Sequence, residues 1–203
     1  MEDENDERPN NKEHVSVIGN HIYFYTDVNE TTALQAVKAL KKINNEMKIT
    51  QICLGEDNLY NDNDDTDTKV TRSPIYFHIN SYGGSYFAGL AIAEAIRNSP
   101  APVYTIGEGA IASMASVLLL SGKKKFIGRD SYILIHEIRT FLSGTFSNLT
   151  DEYENCKLFM EKMIKFYKDN SSIPKKDLLS ILKKDLWIDS DKCLKWKLVD
   201  KIV

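Results

Sequence analysis

Hydrophobic and polar positions change their pattern repeatedly along the chain. Short runs rich in apolar and β-forming residues predict strands over residues 15–25, 74–79, 103–106 and 132–135. Apolar residues spaced three or four apart predict helices over residues 31–46 and 147–170, and shorter helices are predicted over 85–98 and 174–182. Strands and helices alternate after residue 74, which is typical of an α/β fold with parallel strands joined by crossover helices.

The first third of the chain divides into strands and a helix. The run 15–25 contains the turn-forming pair Gly19-Asn20, so it predicts two short strands. A helix is predicted to begin at Asn29 or Thr31, with lysines opposite its apolar stripe. The stripe consists of Leu34, Val37, Leu40 and Ile43. Residues 48–54 are predicted to form another short strand.

The longest predicted helix covers residues 147–170. Its apolar residues recur at alternating spacings of four and three, and Phe159 and Phe166 add a second apolar row. Two apolar rows predict that this helix buries two faces, one of them against another subunit. A short helix and a terminal strand are predicted over residues 190–203.

Two segments are strongly polar. Residues 1–13 carry six acidic residues and little to bury, so residues 1–14 are predicted to be a flexible arm before a single domain over 15–203. Residues 55–73 are rich in Asp and Asn, but they lack the glycine and terminal glutamate of a calcium loop. This second segment is predicted to be a solvated surface insertion.

Composition narrows the class of protein. The chain has 203 residues, of which 42% are hydrophobic, enough for one sizeable core. A net charge of −3 argues against nucleic-acid binding, and no apolar run approaches the length of a membrane-spanning helix. The three cysteines are far apart, and the four histidines show no metal-binding spacing, so no metal or cofactor is expected. We therefore expect a cytoplasmic protein with reduced thiols.

A stretch of small and apolar residues, 107–120, places Ser113 just before a predicted buried helix. Free backbone N–H groups at a helix start favour negative charge, which suits a serine acting as a nucleophile. A serine at this position is also a common helix N-cap. The stretch alone favours the capping interpretation.

Other polar features follow neighbouring predicted strands. Gly83 and Gly84 form a turn between a strand and a helix, where backbone N–H groups are exposed. His136 follows the strand 132–135. Because the carboxyl ends of parallel strands meet at one edge of a sheet, the glycine turn, Ser113 and His136 are predicted to converge there.

Four motifs occur in an order that resembles the proteolytic-subunit family of the Clp protease (ClpP). They are Ile79-Asn80-Ser81-Tyr82-Gly83-Gly84-Ser85, the stretch 107–120 with Ala112-Ser113-Met114, Ile135-His136, and Lys184-Asp185 with Leu198-Val199-Asp200. The resemblance covers residues 22–203, with 55–73 as an insertion. It implies a ClpP/crotonase-like α/β fold of repeated β-β-α units with a long protruding helix.

The resemblance also implies a serine endopeptidase with a Ser-His-Asp triad. Ser113 corresponds to the nucleophile, His136 to the general base, and Asp185 to the residue that orients the imidazole. The backbone N–H groups of Gly83 and Met114 correspond to the oxyanion hole. A serine needs such help because its hydroxyl is too weak an acid to attack an amide unaided. No G-x-S-x-G elbow surrounds Ser113, which argues against an α/β-hydrolase.

The resemblance implies heptameric rings, stacked as a tetradecamer through the long helix, with polypeptide substrates and an AAA+ unfoldase partner. The chain departs from the family at several positions. Tyr82 stands in place of proline, and Glu137-Ile138-Arg139-Thr140-Phe141 replaces the usual substrate-pairing run, so the cleavage preference is left open. The matching partner-docking positions include Tyr76, His78 and Asn98, and Lys184 stands where an arginine often makes ring–ring contacts.

Two other functions remain open at this point. A non-catalytic ring subunit or assembly scaffold would keep the fold without activity. A crotonase-type acyl-CoA enzyme would share the fold and an oxyanion hole, but it needs no serine triad.

Overall fold

The structure is a computed structural model that describes residues 14–53 and 72–203. Within these residues, one mixed sheet is flanked by helices. The predicted acidic arm, apart from residue 14, and nearly all of the predicted insertion at 55–73 lie outside the described residues.

The sheet is parallel through its centre. Its strands are β1 (Val15–Ile18), β2 (His21–Phe24), β3 (Ile75–Ser81), β4 (Val103–Ala112), β5 (Lys124–Ile127), β6 (Tyr132–Leu134), β7 (Trp187–Ile188) and β8 (Lys201–Ile202). Strands β2, β3, β4, β5 and β8 are parallel neighbours in that order, and β1 adds an antiparallel edge to β2. Parallel neighbours of this kind need crossover connections, and helices supply most of them.

The helices alternate with the strands as the sequence predicts. They are α1 (Glu30–Cys53), α2 (Tyr86–Arg97), α3 (Met114–Leu120), α4 (Phe146–Asn170), α5 (Lys175–Leu182) and α6 (Ser190–Lys195). The start of α1 is capped by Asn29, whose Oδ1 accepts a hydrogen bond from the Thr32 N–H at 3.0 Å. The predicted α/β fold is confirmed.

The prediction of a strand over residues 48–54 was wrong, because α1 continues to Cys53. The β-branched residues in that run suggested a strand, but a helix that is already packed on the sheet extends at little cost. The predicted stripe of α1 is also displaced, since Leu34 is 55% exposed while Ala36, Leu40 and Ile43 are buried. Small alanines let this helix approach the sheet closely.

Strand β4 is longer than predicted, and it divides between two partners. Residues 104–107 pair with β5, and residues 110–112 pair with β6. Gly109, between the two halves, has a positive φ of 69°. Residues 107–112 were expected to lead into a helix, but pairing on both sides makes them a strand despite their low β-propensity. β4 therefore carries the chain directly to Ser113.

The core lies between the sheet and the helices. Its largest fully buried side chains include Phe24, Phe77, Leu118, Leu119 and Tyr167. Helix α3 contributes a buried residue at each of its seven positions, which explains why all of them except Ser116 are apolar. The core thus fixes both the strand before Ser113 and the helix after it.

Helix α4 begins at Thr145, which forms a capping box with Asn148. Only its C-terminal part reaches the core, where Met163 and Tyr167 are buried. The first part is exposed, including Phe146 at 85% and Tyr153 at 58%. Phe159 and Phe166 of the second predicted row are half-buried, with Phe159 stacked on Tyr86, so the helix packs through its later turns and exposes its first part.

Candidate active site

Ser113 occupies a strained position between β4 and α3. Its backbone has φ 55° and ψ −125°, a conformation that non-glycine residues rarely adopt. Its side chain makes no capping hydrogen bond to α3, although it stands at the N-cap position. The capping interpretation is therefore not supported, and the strain requires another reason. Strain of this kind is typical of residues whose side chain is presented for function.

The glycine turn lies directly against Ser113. Gly83 has φ +94°, and a Cβ built on it would lie 2.7 Å from Ser113 Cβ and 2.8 Å from the Ala112 carbonyl oxygen. Gly84 has φ +141°, and its Cβ would lie 2.2 Å from the Val28 carbonyl oxygen. Both positions thus need glycine for conformation and for space. The predicted convergence of the turn with Ser113 is confirmed.

His136 follows β6 and is partly exposed. Its Nδ1 lies 2.5 Å from the carbonyl oxygen of Glu137, so in the neutral ring Nδ1 carries the proton and Nε2 is free to accept one. The next residue is held in place because the Glu137 N–H donates to the Leu182 carbonyl at 2.8 Å. That tautomer is the one a general base needs.

Asp185 lies in the exposed segment between α5 and β7. Its carboxylate is bound by the Arg139 guanidinium, which donates to Oδ1 at 2.5 Å and also to Oδ2. Both side chains are largely exposed, at 66% for Arg139 and 59% for Asp185. Arg139 belongs to the run 137–141, at which the resemblance left the cleavage preference open.

Sheet register brings the three predicted triad residues to one edge. In the parallel pair, Ala112 of β4 lies opposite Leu134 of β6, and the Ser113 N–H donates to the Leu134 carbonyl at 2.8 Å. In the antiparallel pair, Leu134 lies opposite Trp187. The pairing ends there, so His136 lies two residues after the last paired residue of β6 and Asp185 two residues before the first paired residue of β7. Ser113, His136 and Asp185 thus adjoin the ends of three neighbouring strands.

The side chains do not form the Ser-His-Asp triad in this conformation. Among the hydrogen bonds of residues 14–53 and 72–203, none joins Ser113 Oγ to His136 or His136 to Asp185. Instead, Asp185 binds Arg139, and the His136 ring binds the neighbouring carbonyl. Joining the triad requires Asp185 to leave Arg139 and His136 to leave the Glu137 carbonyl.

Backbone N–H groups are available beside Ser113. Met114 is the first residue of α3, so its N–H has no intrahelical partner. The Gly83 N–H donates to the buried Ser81 Oγ at 3.1 Å. The Val28 carbonyl accepts a hydrogen bond from the Ser85 N–H, and the Val28 N–H donates to the Gly83 carbonyl. Because the Gly83 carbonyl faces Val28, the N–H of Gly84 in the same peptide group is directed toward the opposite edge of the strand, where β4 lies. Sequence reasoning included Gly84 in the turn that exposes backbone N–H groups but assigned the donor role to Gly83.

Sequence reasoning also missed a buried hydrogen-bonded pair behind Ser113. Ser116 is 1% exposed, and its Oγ lies 2.6 Å from the Ser113 carbonyl oxygen and 2.8 Å from the Tyr167 hydroxyl oxygen. Burial raises the pKa of Tyr167 to about 12. No sequence motif marks the pair, because its two members are 51 residues apart.

The described residues also bear on two other classes of protein. No cluster of three or more His, Cys, Asp or Glu residues that could hold a metal ion occurs in the described part of the chain. No described helix is both long and apolar enough to cross a membrane.

Comparison with known proteins links this geometry to one family. The profile of the Clp protease family matches residues 66–203, which include Gly83, Ser113, His136 and Asp185. The match thus spans the glycine turn, both halves of β4 and the segment before β7.

The chain is similar to several proteolytic subunits of the ATP-dependent Clp protease. Subunit 2 of Treponema denticola is 32% identical over 131 residues, which cover 64% of this chain and 66% of that protein. The subunit of Deinococcus radiodurans is 30% identical over 139 residues, covering 68% of each chain. The subunit of Streptococcus mutans is 31% identical over 141 residues, covering 68% of this chain and 72% of that protein. The match thus spans about two thirds of the length of these relatives.

These similarities confirm the resemblance stated from the motifs and the expectation of an enzyme of the Clp serine protease type. The family profile matches more than half of the chain. The mixed sheet and the strained serine against a glycine turn are consistent with that match. The chain belongs to the Clp protease family.

Proposed function

We propose that this protein is a serine endopeptidase that cleaves unfolded polypeptides or peptides within a ring-shaped oligomer. The observation that carries the proposal is Ser113, held at φ 55° against Gly83 at the end of β4, with His136 and Asp185 each two residues outside the paired residues Leu134 and Trp187. A nucleophile, a base with an accepting nitrogen and apposed backbone donors are the parts that acyl transfer requires.

The chemistry follows from those parts. Ser113 Oγ attacks the scissile carbonyl while His136 Nε2 takes its proton, and the same nitrogen then protonates the leaving amine. Asp185 stabilises the imidazolium once its carboxylate turns from Arg139 to His136. Water repeats the sequence on the acyl-enzyme and releases the second product. His136 thus needs to exchange its carbonyl partner for the Asp185 carboxylate.

The developing oxyanion is stabilised by backbone donors in this proposal. The N–H groups of Met114 and Gly83 are the donors predicted from sequence, and Gly84 offers a third. Each donor aimed at the oxyanion lowers the barrier by about 3 kcal/mol. Since Gly83 already donates to Ser81, its role requires that this 3.1 Å bond yield or be shared.

Assembly and partner belong to the same proposal. Exposed apolar residues on the first part of α4 are available for contact between two heptameric rings, as in a tetradecamer. The relatives are named as subunits of an ATP-dependent protease, which supports an AAA+ unfoldase as partner. Tyr76 stacks on His21 at 4.7 Å on the sheet face away from the helices, and this face is the proposed docking side.

A fluorophosphonate probe tests the catalytic assignment. The wild-type protein should become covalently labelled at one serine, and Ser113→Ala should abolish labelling while the thermal unfolding temperature is kept. Ser147→Ala, an exposed serine in the first turn of α4, serves as the matched control and should label normally. Labelling of Ser113→Ala would remove Ser113 as the nucleophile.

One observation favours the second candidate, a non-catalytic ring subunit. Asp185 is occupied by Arg139, a residue outside the family pattern, and His136 is bound to a backbone carbonyl. That candidate predicts no labelling of the assembled wild-type protein, with rings still visible by native mass spectrometry. Labelling of Ser113 in the wild type would exclude it.

A further inference from the structure

A buried chain of hydrogen bonds ends at the carbonyl group of the proposed nucleophile. Ser116 donates to the Ser113 carbonyl oxygen twice, from its N–H at 3.0 Å and from its Oγ at 2.6 Å. Ser116 is 1% exposed, so water cannot substitute for either bond. The orientation of the Ser113 carbonyl is therefore fixed from inside the protein.

Which group donates and which accepts in these hydrogen bonds follows from the number of protons. A serine hydroxyl has one proton, and a carbonyl oxygen can only accept, so the Ser116 proton is committed to Ser113. The Tyr167 hydroxyl, 2.8 Å away and fully buried, must then donate to Ser116 Oγ. Tyr167 belongs to α4, which places a donor from the long helix at the end of this chain. Successive bonds of this kind polarise one another in a dry interior.

The carbonyl of Ser113 and the N–H of Met114 belong to the same planar peptide group. Fixing the carbonyl fixes the direction of the N–H on its other side. Polarising the carbonyl toward the protein interior also makes that N–H a better donor. The strained φ of 55° at Ser113 makes such support necessary, since the peptide would otherwise relax.

We propose that Ser116 and Tyr167 are positioning residues that hold the 113–114 peptide so that the Met114 N–H points at the developing oxyanion. This inference rests on the proposed function, because it assigns the support of the same site. Neither residue touches substrate; both act through the peptide group. The contact also couples α4 to the catalytic centre through one buried hydroxyl pair.

The experiment measures acylation by the fluorophosphonate probe in Ser116→Ala, in Tyr167→Phe and in the double variant. Ser116→Ala should lower the maximal acylation rate about tenfold, because a displaced donor loses part of the hundredfold or more that an oxyanion donor supplies. Tyr167→Phe should lower it about threefold. The probe concentration that gives half-maximal rate should stay unchanged in each variant, because ground-state binding is not altered.

The double variant distinguishes an effect on folding stability from an effect on the position of the Met114 N–H. Ser116→Ala alone leaves the Tyr167 hydroxyl buried without its partner, whereas removing both hydroxyls is nearly neutral for folding. The double variant should thus regain the unfolding temperature lost by Ser116→Ala but keep the tenfold slower acylation. Recovery of the rate together with the unfolding temperature would overturn the inference and leave the pair a purely structural one.

Ser121→Ala is the matched control. Ser121 is also a buried serine that follows α3, where its Oγ donates to the Val117 carbonyl at 2.8 Å, but it lies at the end remote from Ser113. It should lower the unfolding temperature without changing the acylation rate; equal slowing would show that any loosening of α3 suffices. If the wild type itself does not label, the proposed function fails first, and this inference falls with it.

Discussion

At the scale of single residues, Gly83 is the position where conformation and space both exclude a side chain. Its φ of +94° disfavours any L residue, and an added Cβ would lie 2.7 Å from Ser113 Cβ. Gly83→Ala should destabilise the fold by about 1–3 kcal/mol and abolish probe labelling, because the new methyl displaces Ser113. Urea unfolding and labelling measure the two effects.

Gly19 supplies the control for that substitution. It also has a positive φ, +59°, but nothing lies within 4 Å of the Cβ that would be added. Gly19→Ala should lower stability through backbone strain alone and leave labelling at the wild-type rate. Normal labelling by Gly83→Ala would contradict the close apposition of the turn and the serine.

Arg139 is the residue whose charge competes most directly with the proposed triad. Arg139→Gln should free the Asp185 carboxylate and raise the acylation rate up to about fivefold, the effect expected for an exposed ion pair of at most about 1 kcal/mol. Raising the salt concentration should also raise the acylation rate of the wild type, because salt screens the ion pair. Arg129→Gln is the matched control, because Arg129 forms an equally exposed pair with Asp191 at 2.8 Å.

A decrease in acylation on replacing Arg139 would show that the arginine supports the site rather than withholding Asp185. The motifs in the sequence pointed to Ser113, His136 and Asp185 as a group, and these residues follow β4, follow β6 and precede β7. The sequence could not show that Arg139 binds Asp185, because the two residues are 46 positions apart in the chain and their contact depends on side-chain rotamers.

At the scale of elements, α4 combines a buried end with an exposed one. Tyr153 is 58% exposed, and the buried residues of the helix, Met163 and Tyr167, lie in its later turns. Tyr153→Glu should prevent ring stacking, halving the native mass without lowering the unfolding temperature of the subunit, because a charge is costly in an apolar interface. Native mass spectrometry measures the first quantity.

Asn155→Glu provides the comparison on the same helix. It adds the same charge two positions on, about 200° around the helix axis. Its native mass should match that of the wild type. Loss of mass in both variants would mean that general charge repulsion, and not the Tyr153 face, controls assembly.

The pattern of the sequence predicted most elements but misread those shaped by distant neighbours. α2 and β3 follow directly from local apolar and glycine signals. Residues 48–53 became helix because α1 was already packed, and residues 107–112 became strand because β3 and β6 pair with them. Such tertiary effects override local propensity, so a single sequence does not show them.

At the scale of the whole molecule, two buried acids make stability fall at high pH. Burial raises the pKa of Tyr167 to about 12 and the pKa of the Cys193 thiol to about 12, so both groups are neutral in the folded state well above their ordinary range. Because the pKa of each group is higher in the folded state than in the unfolded state, its contribution to the free energy of unfolding is intact below about pH 9. That contribution is lost as the pH rises toward 12.

Urea unfolding between pH 8 and pH 11.5 should show this decline, beginning with the thiol and steepening as tyrosine ionises. Tyr167→Phe should flatten the upper part of the curve, since its ring carries no ionisable group. A curve for the variant that parallels the wild type would assign the decline to other groups.

The division of β4 between β5 and β6 has a consequence for how the molecule opens. The half that pairs with β5 has a continuous register with β3, whereas the half that supports Ser113 pairs with β3 at Ile111 and with three residues of β6, which in turn pair with the two residues of β7. Short strands of this kind open in local fluctuations that leave the larger sheet intact. Amide hydrogens of β6 and β7 should therefore exchange with solvent sooner than those of β3, and the lifetime of the aligned site is set by this smaller half.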